Sequence, residues 1–185
     1  MPTRYLCAGL KTPLIEYARN KESYVYKFIH SNTNEHISIC SMLNSTASCA
    51  QFGPDLQILF EIYLKFNHNL HDVAVLNLRE GGILLLSVEC DSDRCWKGVN
   101  RFLAMKIDKS GKHLGSLNLN FEKCHDYAMS HMKIRIFEAK GDKEKYCAAL
   151  LCFANGLGEI SAGVNSNRVF NLATVCFDDT DFRKM

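Results

Sequence analysis

The chain has 185 residues, of which 47% are apolar and 23% are charged, and its 22 basic and 20 acidic side chains leave a formal charge of +2. This apolar content can bury enough surface to offset the entropy of ordering the backbone, which excludes an intrinsically disordered chain. With 11 glycines and only 3 prolines, a collagen-like or proline-rich fibre is excluded as well. The small net charge gives no global attraction to nucleic acid or to acidic membranes.

The length and the absence of repeats or linkers predict a single domain over residues 1–185, in three parts. Residues 1–22 are expected to be an N-terminal segment with a short helix, because Thr12 is an N-cap residue followed by Pro13 at the first helical position. Residues 23–177 are expected to form a β-rich core, and residues 178–185 a polar tail.

In the predicted core, apolar side chains recur with a period of two, which is typical of half-buried strands. The clearest example is 56–66, where even-numbered positions are apolar while Gln57, Glu61 and Lys65 lie on the other face. Residues 108–113 resemble a hairpin loop with Gly111 at its tight position. The predicted strands are 23–30, 36–42, 56–66, 72–78, 83–90, 102–107, 114–121, 132–137 and 169–177.

Residues 143–155 are rich in helix formers and precede Gly156, which predicts a helix ended by a glycine cap; a buried strand over 146–154 remains open. Consecutive strands joined by short turns argue against a parallel sheet, since that would need a crossover between each pair. The predicted fold is mainly β, an antiparallel β-sandwich or jelly-roll-like domain with one or two peripheral helices.

Nine cysteines are spread through apolar segments, and an odd number in such positions does not indicate a disulfide framework. They are expected to be reduced and to act as small buried apolar residues. The first residues contain no apolar signal core, and no apolar run approaches the roughly 20 residues that span a bilayer. The expectation is an intracellular protein, in the host cytoplasm or at the cell periphery, that is not secreted.

Metal-binding and catalytic patterns are weak in this sequence. Cys90 and Cys95, like Cys147 and Cys152, are spaced too widely for the usual zinc knuckle. The sequence has no nucleophile elbow, no zinc-protease helix motif and no phosphate-binding loop. We therefore expect no enzyme activity, no metal and no cofactor. A cysteine-dependent enzyme or a zinc-binding protein is the alternative from another class.

Basic residues are concentrated between residues 101 and 145, where ten Lys and Arg stand against six Asp and Glu, a local charge of +4. One interpretation is a solvated face of strands and turns. The other is a shallow surface that contacts phosphates. The candidate nucleic-acid-binding residues are Arg101, Lys106, Lys109, Lys112, Lys133 and Arg135.

Gly82 introduces an apolar strand over 83–90, which is followed at once by Asp91, Asp93 and Arg94. An aspartate there can accept backbone N–H bonds or pair with Arg94, which is a structural role. This pattern also resembles the strand-then-aspartate signature of the thirty-kilodalton superfamily of plant-virus movement proteins. The resemblance covers residues 56–137, and Asp91 or Asp93 would match the family's aspartate. It implies a jelly-roll-like domain that binds single-stranded nucleic acid without sequence specificity and acts at plasmodesmata.

Together these patterns predict a non-enzymatic viral binding or structural protein, with a movement-type protein that binds single-stranded nucleic acid as the first hypothesis. A matrix-like or capsid-like protein that assembles with copies of itself is the alternative. The expected partners are single-stranded nucleic acid and further copies of the chain. No transmembrane segment is predicted, and peripheral membrane contact is left open.

Overall fold

The computed structural model describes residues 25–30, 36–90, 100–121, 133–140, 145–154 and 169–184. Their strands form three antiparallel sheets. The N-terminal sheet consists of β1 (Val25–His30), β2 (Ile37–Leu43), β3 (Thr46–Phe52) and β4 (Ile58–Lys65). The middle sheet consists of β5 (Asn69–Asn77), β6 (Ile83–Cys90), β7 (Asn100–Ile107) and β8 (His113–Leu119). The C-terminal sheet consists of β9 (Lys133–Glu138), β10 (Lys145–Ala154) and β11 (Val169–Asp178), and a 3-10 helix (Asp179–Lys184) follows.

Neighbouring strands in each sheet are consecutive in the chain, and every pair is antiparallel. The prediction of a mainly β, antiparallel fold is therefore confirmed. Within these three sheets the connections form simple meanders, whereas a jelly roll needs strands that cross between sheets. Helices were predicted at the periphery; no α-helix occurs in the described ranges, and the helix expected near Thr12 lies outside them.

The middle sheet is covered on both faces, so its strands contribute to two cores. One face packs against the N-terminal sheet, with Ile83 and Leu85 of β6 in the same core as Phe60 of β4. The opposite face packs against the C-terminal sheet, where Leu84 of β6 shares a core with Ile134 of β9. Because β6 is covered on both faces, all eight of its residues are buried, and the first four of them form a continuous apolar run.

A buried polar cluster joins the N-terminal sheet to the middle sheet. The side-chain amide of Gln51 donates to the carbonyl oxygen of Gly82 at 2.9 Å and accepts from the Gly82 N–H at 3.1 Å. Asn77 Oδ1 accepts from Gln51 and from the Ser38 hydroxyl, and its amide donates to the carbonyl oxygen of His36. These contacts satisfy polar groups that would otherwise be costly to bury, and they fix how the two sheets are placed.

Gly82 is required where this cluster meets the β5–β6 turn. Its φ of 88° lies in the left-handed region that favours glycine. A Cβ added there would come within 2.3 Å of the carbonyl oxygen of Ile107, which is far inside van der Waals contact. The close approach of the turn to β7 therefore excludes any larger residue.

Charged side chains join the middle sheet to the C-terminal sheet. The buried carboxylate of Asp72 in β5 accepts a hydrogen bond from the backbone N–H of Ile134 at 3.2 Å. Arg79, in the β5–β6 turn, donates from two nitrogens to Glu138 Oε2 at 3.0 and 2.8 Å. Such charge-assisted contacts are among the stronger hydrogen bonds in proteins, and here they bridge two layers.

Three segments differ from the sequence-based expectations. Residues 145–154 form β10, so the predicted helix over 143–155 is wrong and the strand alternative is correct. β3 was not predicted, because its small residues give no apolar alternation. The predicted polar tail contains the 3-10 helix, whose Phe182 is buried against Phe177 with ring centroids 5.7 Å apart.

Candidate functional site

The predicted basic residues of β7 do not share a surface. Arg101 is exposed and lies on the face of the middle sheet directed at the N-terminal sheet, together with Leu103 and Met105. Lys106 lies on the opposite face and forms an ion pair with Asp179 of the 3-10 helix. Only 18% of its side chain is exposed, so this lysine mainly holds the C-terminal helix in place.

The other predicted cations are distributed over two further places. Lys109 and Lys112 are exposed in the loop between β7 and β8, at one end of the middle sheet. Arg135 is exposed in β9, and its guanidinium donates to the carbonyl oxygen of Ile134 at 2.9 Å. Lys133 belongs to β9, but its side chain is not among those described. The predicted residues are therefore divided among the two faces of the middle sheet, a loop and a second sheet.

The predicted strand-then-aspartate motif begins with β6. Asp91, Asp93 and Arg94 lie outside the described residues, directly after the end of β6 at Cys90. Their structural role and their resemblance to the movement-protein aspartate both stay predictions.

A cleft of ≈ 220 Å³ opens where the end of β4 meets the middle sheet. Arg101 and Lys65 place two basic groups along it, and the buried carboxylate of Glu89 lies opposite Arg101 in the β6–β7 register. Its remaining lining residues are a mixture of apolar and amide side chains, namely Leu64, Phe66, Asn67, Leu103, Met105 and Asn118. A lining that mixes apolar side chains with a few polar groups is the composition of a small binding site.

The outer face of the C-terminal sheet has an unusual composition for a surface. Ile134, Ile136 and Tyr146 point into the core, so the alternating residues of the same strands point outward. At one end of the face, Lys145 of β10 and Asp178 of β11 form a directly opposed pair of opposite charge. Beyond that pair, only one of the outward residues whose side chains are described is charged, and most are apolar. These residues are Arg135, Phe137, Cys147, Ala149, Leu151, Leu172, Thr174 and Cys176. Leu172 is 69% exposed and Phe137 is 43% exposed. We call these eight residues the outer apolar face.

The sequence of β10 also indicates a strand that is covered on both faces. β10 is the central strand of its sheet and, apart from Lys145 at its start, it is an unbroken apolar run, like the first half of β6. A strand with one face in water normally alternates apolar and polar residues, whereas a strand buried on both faces does not. β6 has a covering sheet on each side. In the described part of the chain, β10 has a covering sheet only on the side of the middle sheet.

Two pairs of cysteines form cross-strand disulfides. Cys40 and Cys49 are directly opposed in β2 and β3, and both are fully buried. Cys147 and Cys176 are directly opposed in β10 and β11, on the outer apolar face. Cys90 is disulfide-bonded as well. The expectation of reduced cysteines is wrong at these positions, because strand register brings together residues that lie 9 and 29 positions apart.

Within the residues that the structure describes, no three His, Cys, Asp or Glu side chains come together in a way that could hold a metal ion. In the same residues, no helix has the length and apolar character needed to cross a bilayer. Comparison of the chain with models of known protein families, with curated proteins and with solved structures finds no match.

The sequence-based predictions included one residue of the cleft, Arg101, and one residue of the outer apolar face, Arg135, but they did not predict that face as an apolar surface. The sequence contained a signal for the division of the basic residues and another for the apolar face. Lys106 lies in the predicted strand 102–107 and Arg101 directly precedes that strand, an odd number of positions away, so continuing the strand by one residue places the two on opposite faces. The apolar residues of 146–154 indicated burial on every side, although they were interpreted first as a helix.

Proposed function

We propose that this protein is a non-enzymatic assembly protein whose copies associate through the outer apolar face. The observation that carries this proposal is the exposure of Leu172 and Phe137 on a sheet face that is mostly apolar. Its described charges are Arg135 and, at one end, the opposed pair of Lys145 and Asp178. Large exposed apolar patches on soluble proteins generally mark interaction sites. The proposal corresponds to the self-assembling alternative among the sequence-based hypotheses.

A second copy is the occupant that fits this face best. Arg135 lies on the edge strand β9, so two faces related by a two-fold axis through β10 keep the two arginines apart. Lys145 and Asp178 lie side by side at one end of the face and offset each other's charge. The rest of the described face is uncharged and can pack against itself. Interfaces between identical subunits are also more apolar than those between different proteins that associate transiently.

The size of the face sets the expected strength of association. Three strands about 4.8 Å apart and about 27 Å long present roughly 400 Å² per copy. Two copies would then bury about 800 Å², which is below the 1,200–2,000 Å² of a standard stable interface. We therefore expect a reversible dimer whose dissociation constant is micromolar or weaker. This corresponds to a binding free energy no more favourable than about −8 kcal/mol.

The test introduces a charge into the face and compares it with the same change elsewhere. Leu172→Asp places an uncompensated carboxylate in the proposed interface and should leave the protein monomeric. Leu114→Asp is the matched control, because Leu114 is also an exposed strand leucine, 49% accessible, but belongs to β8 of the middle sheet. Light scattering after size exclusion should show dimerisation in wild type and in Leu114→Asp only. Equal behaviour of the two variants would contradict the proposal.

The cleft favours a second candidate function, the binding of single-stranded nucleic acid. Arg101 and Lys65 provide two phosphate contacts beside apolar side chains. Arg101→Glu should abolish retention of a labelled oligonucleotide, whereas Arg135→Glu, on a different sheet, should not. With two phosphate contacts, log K should fall with log salt with a slope of about −1.4. Undiminished affinity in Arg101→Glu would remove this function.

A further inference from the structure

The two described cross-strand disulfides differ sharply in their environment. The sulfurs of Cys40 and Cys49 belong to fully buried residues between the N-terminal and middle sheets. Cys147 is 6% exposed, but its partner Cys176 is exposed on the outer apolar face. Thiol–disulfide exchange requires a thiolate to reach one of the two sulfurs, so accessibility separates these bonds chemically.

We infer that the Cys147–Cys176 disulfide is a thiol-exchange site that takes small soluble thiols, and that attack occurs at the sulfur of Cys176. This inference goes beyond the proposed function and does not rest on it, because it needs only the exposure of Cys176 in a single copy. The substrate class is a low-molecular-weight thiol such as glutathione.

The exchange proceeds in two balanced steps. A thiolate attacks Cys176 Sγ, forms a new sulfur–sulfur bond and releases Cys147 as a thiolate, which takes a proton from water. A second thiolate attacks the external sulfur of the mixed disulfide, so that Cys176 leaves as a thiolate and the two small thiols depart as their own disulfide. Two electrons pass from the small thiols to the two cysteines, and the external thiol is the only reductant needed.

Opening this bond should leave the sheet intact. β10 and β11 are paired along their whole length, from Lys145 opposite Asp178 to Ala154 opposite Val169. Tyr146, Ala148 and Phe177 hold the inner side of the two strands in the core. The reduced form therefore keeps the strand pairing, and exchange changes the chemistry of the outer apolar face without unfolding the protein.

The Cys40–Cys49 bond provides the internal control. A thiolate can reach those sulfurs only after the N-terminal and middle sheets separate, which requires partial unfolding. We expect Cys147–Cys176 to open at least ~100-fold faster than Cys40–Cys49 in the folded protein.

The experiment uses the full chain, diluted until it sediments as a monomer. The protein is then treated with glutathione for increasing times. Free thiols are alkylated at each time, and peptide mass mapping assigns the label to each cysteine. The expected result is early label at Cys147, glutathione or label at Cys176, and Cys40 and Cys49 still joined, with an unchanged circular dichroism spectrum. A Cys147→Ser, Cys176→Ser double variant should lose this early reaction and keep the slow one.

Equal opening rates for the two bonds would overturn the inference, as would earlier opening of Cys40–Cys49. Label at Cys147 and Cys176 before any glutathione is added would also overturn it, because no bond would then be present to exchange. Since the measurement is made on single copies, failure of self-association leaves its outcome unaffected.

Discussion

Gln51 makes the central contacts of the polar cluster between the N-terminal and middle sheets. Its amide group bonds both the N–H and the carbonyl of Gly82, and it also donates to Asn77. Removing the side chain would leave these buried partners unsatisfied, which costs more than the loss of one exposed hydrogen bond. Buried polar contacts of this kind are satisfied as a set, so loss of one member affects the others.

We therefore predict that Gln51→Ala lowers the free energy of unfolding by about 1–3 kcal/mol. Gln57→Ala is the matched control, since Gln57 is exposed, and its effect should stay within about 0.5 kcal/mol. Urea denaturation monitored by circular dichroism measures both values. Equal effects of the two substitutions would contradict the role assigned to the cluster.

Asp108 organises the loop between β7 and β8. Its Oδ1 atom accepts hydrogen bonds from the Ser110 hydroxyl and from the backbone N–H groups of Ser110 and Lys112. The bond from the Ser110 side chain, followed by the bond from the Lys112 backbone, holds the pKa of Asp108 below its usual value. A carboxyl with a lowered pKa in the folded protein stabilises it while ionised, and this contribution is lost as the pH falls through the folded pKa.

The expected result is a pH-dependent difference between wild type and Asp108→Ala. The wild type should have the higher melting temperature at neutral pH, and the difference should shrink as the pH falls through and below the ordinary aspartate range. Thermal melts at a series of pH values measure this difference. A difference that grows on acidification would contradict the assignment, since it would mean that the protonated group is the stabilising form.

The cysteines show what a sequence can give at the scale of single residues. Composition indicated buried, small side chains, and burial is correct for Cys40, Cys49 and Cys147. Pairing could not be predicted, because it depends on which residues of neighbouring strands are directly opposed. The register of β2 and β3, which are joined by a turn of two residues, is known only from the structure. The odd number of cysteines said nothing about which of them would be opposed.

Two strands with similar composition received opposite predictions at the scale of secondary structure. The range 83–90 was predicted as a strand and matches β6, because its flanking turns and its short length exclude a helix. The range 143–155 was predicted as a helix, because alanine and leucine form helices well in isolation. Pairing of β10 with both β9 and β11 overrides that intrinsic preference.

Strand β3 was missed for the opposite reason. Its residues Thr46 to Gln51 are mostly small, so they give neither the alternation of a strand nor the period of a helix. Small side chains are what this strand needs, since it lies inside its sheet between β2 and β4 and almost all of its residues are buried. A pattern of this kind becomes interpretable only when the neighbouring strands are known.

The C-terminal 3-10 helix should depend on Phe182. Its ring is buried against Phe177, and the backbone carbonyl of Phe182 lies close to Gly115 of β8. We predict that Phe182→Ala lowers the free energy of unfolding by about 3 kcal/mol through loss of apolar burial and the resulting cavity. Leu114→Ala, at an exposed leucine outside the outer apolar face, should cost less than about 0.5 kcal/mol. Urea denaturation of both variants tests this, and equal costs would contradict it.

At the scale of the whole molecule, the three stacked sheets decide which surfaces are available for function. The middle sheet is covered on both faces, so the basic residues of β7 are divided between a cleft and a partly buried ion pair. A chain-level count of charge between residues 101 and 145 cannot reveal this division, because residues adjacent in sequence alternate between faces. The mainly β architecture was predictable from periodicity; the stacking order of the sheets was not.

Among the described outward surfaces, the outer apolar face has a composition that is unusual for contact with water. Its composition matches the inner faces of the molecule better than a solvated surface, since it combines leucine, phenylalanine, alanine and a disulfide with one arginine. This is the physical basis for proposing that a second copy covers it. Association through one face also makes a closed dimer, because the same patch is used by both copies.

Sedimentation equilibrium of the wild-type protein over a wide concentration range, with Leu172→Asp and Leu114→Asp measured beside it, tests this proposal most directly. We predict that the mass of wild type and of Leu114→Asp rises from that of one chain towards twice that value, while Leu172→Asp stays at one chain throughout. A wild-type mass of one chain at every concentration, or the same mass curve for both variants, would contradict it.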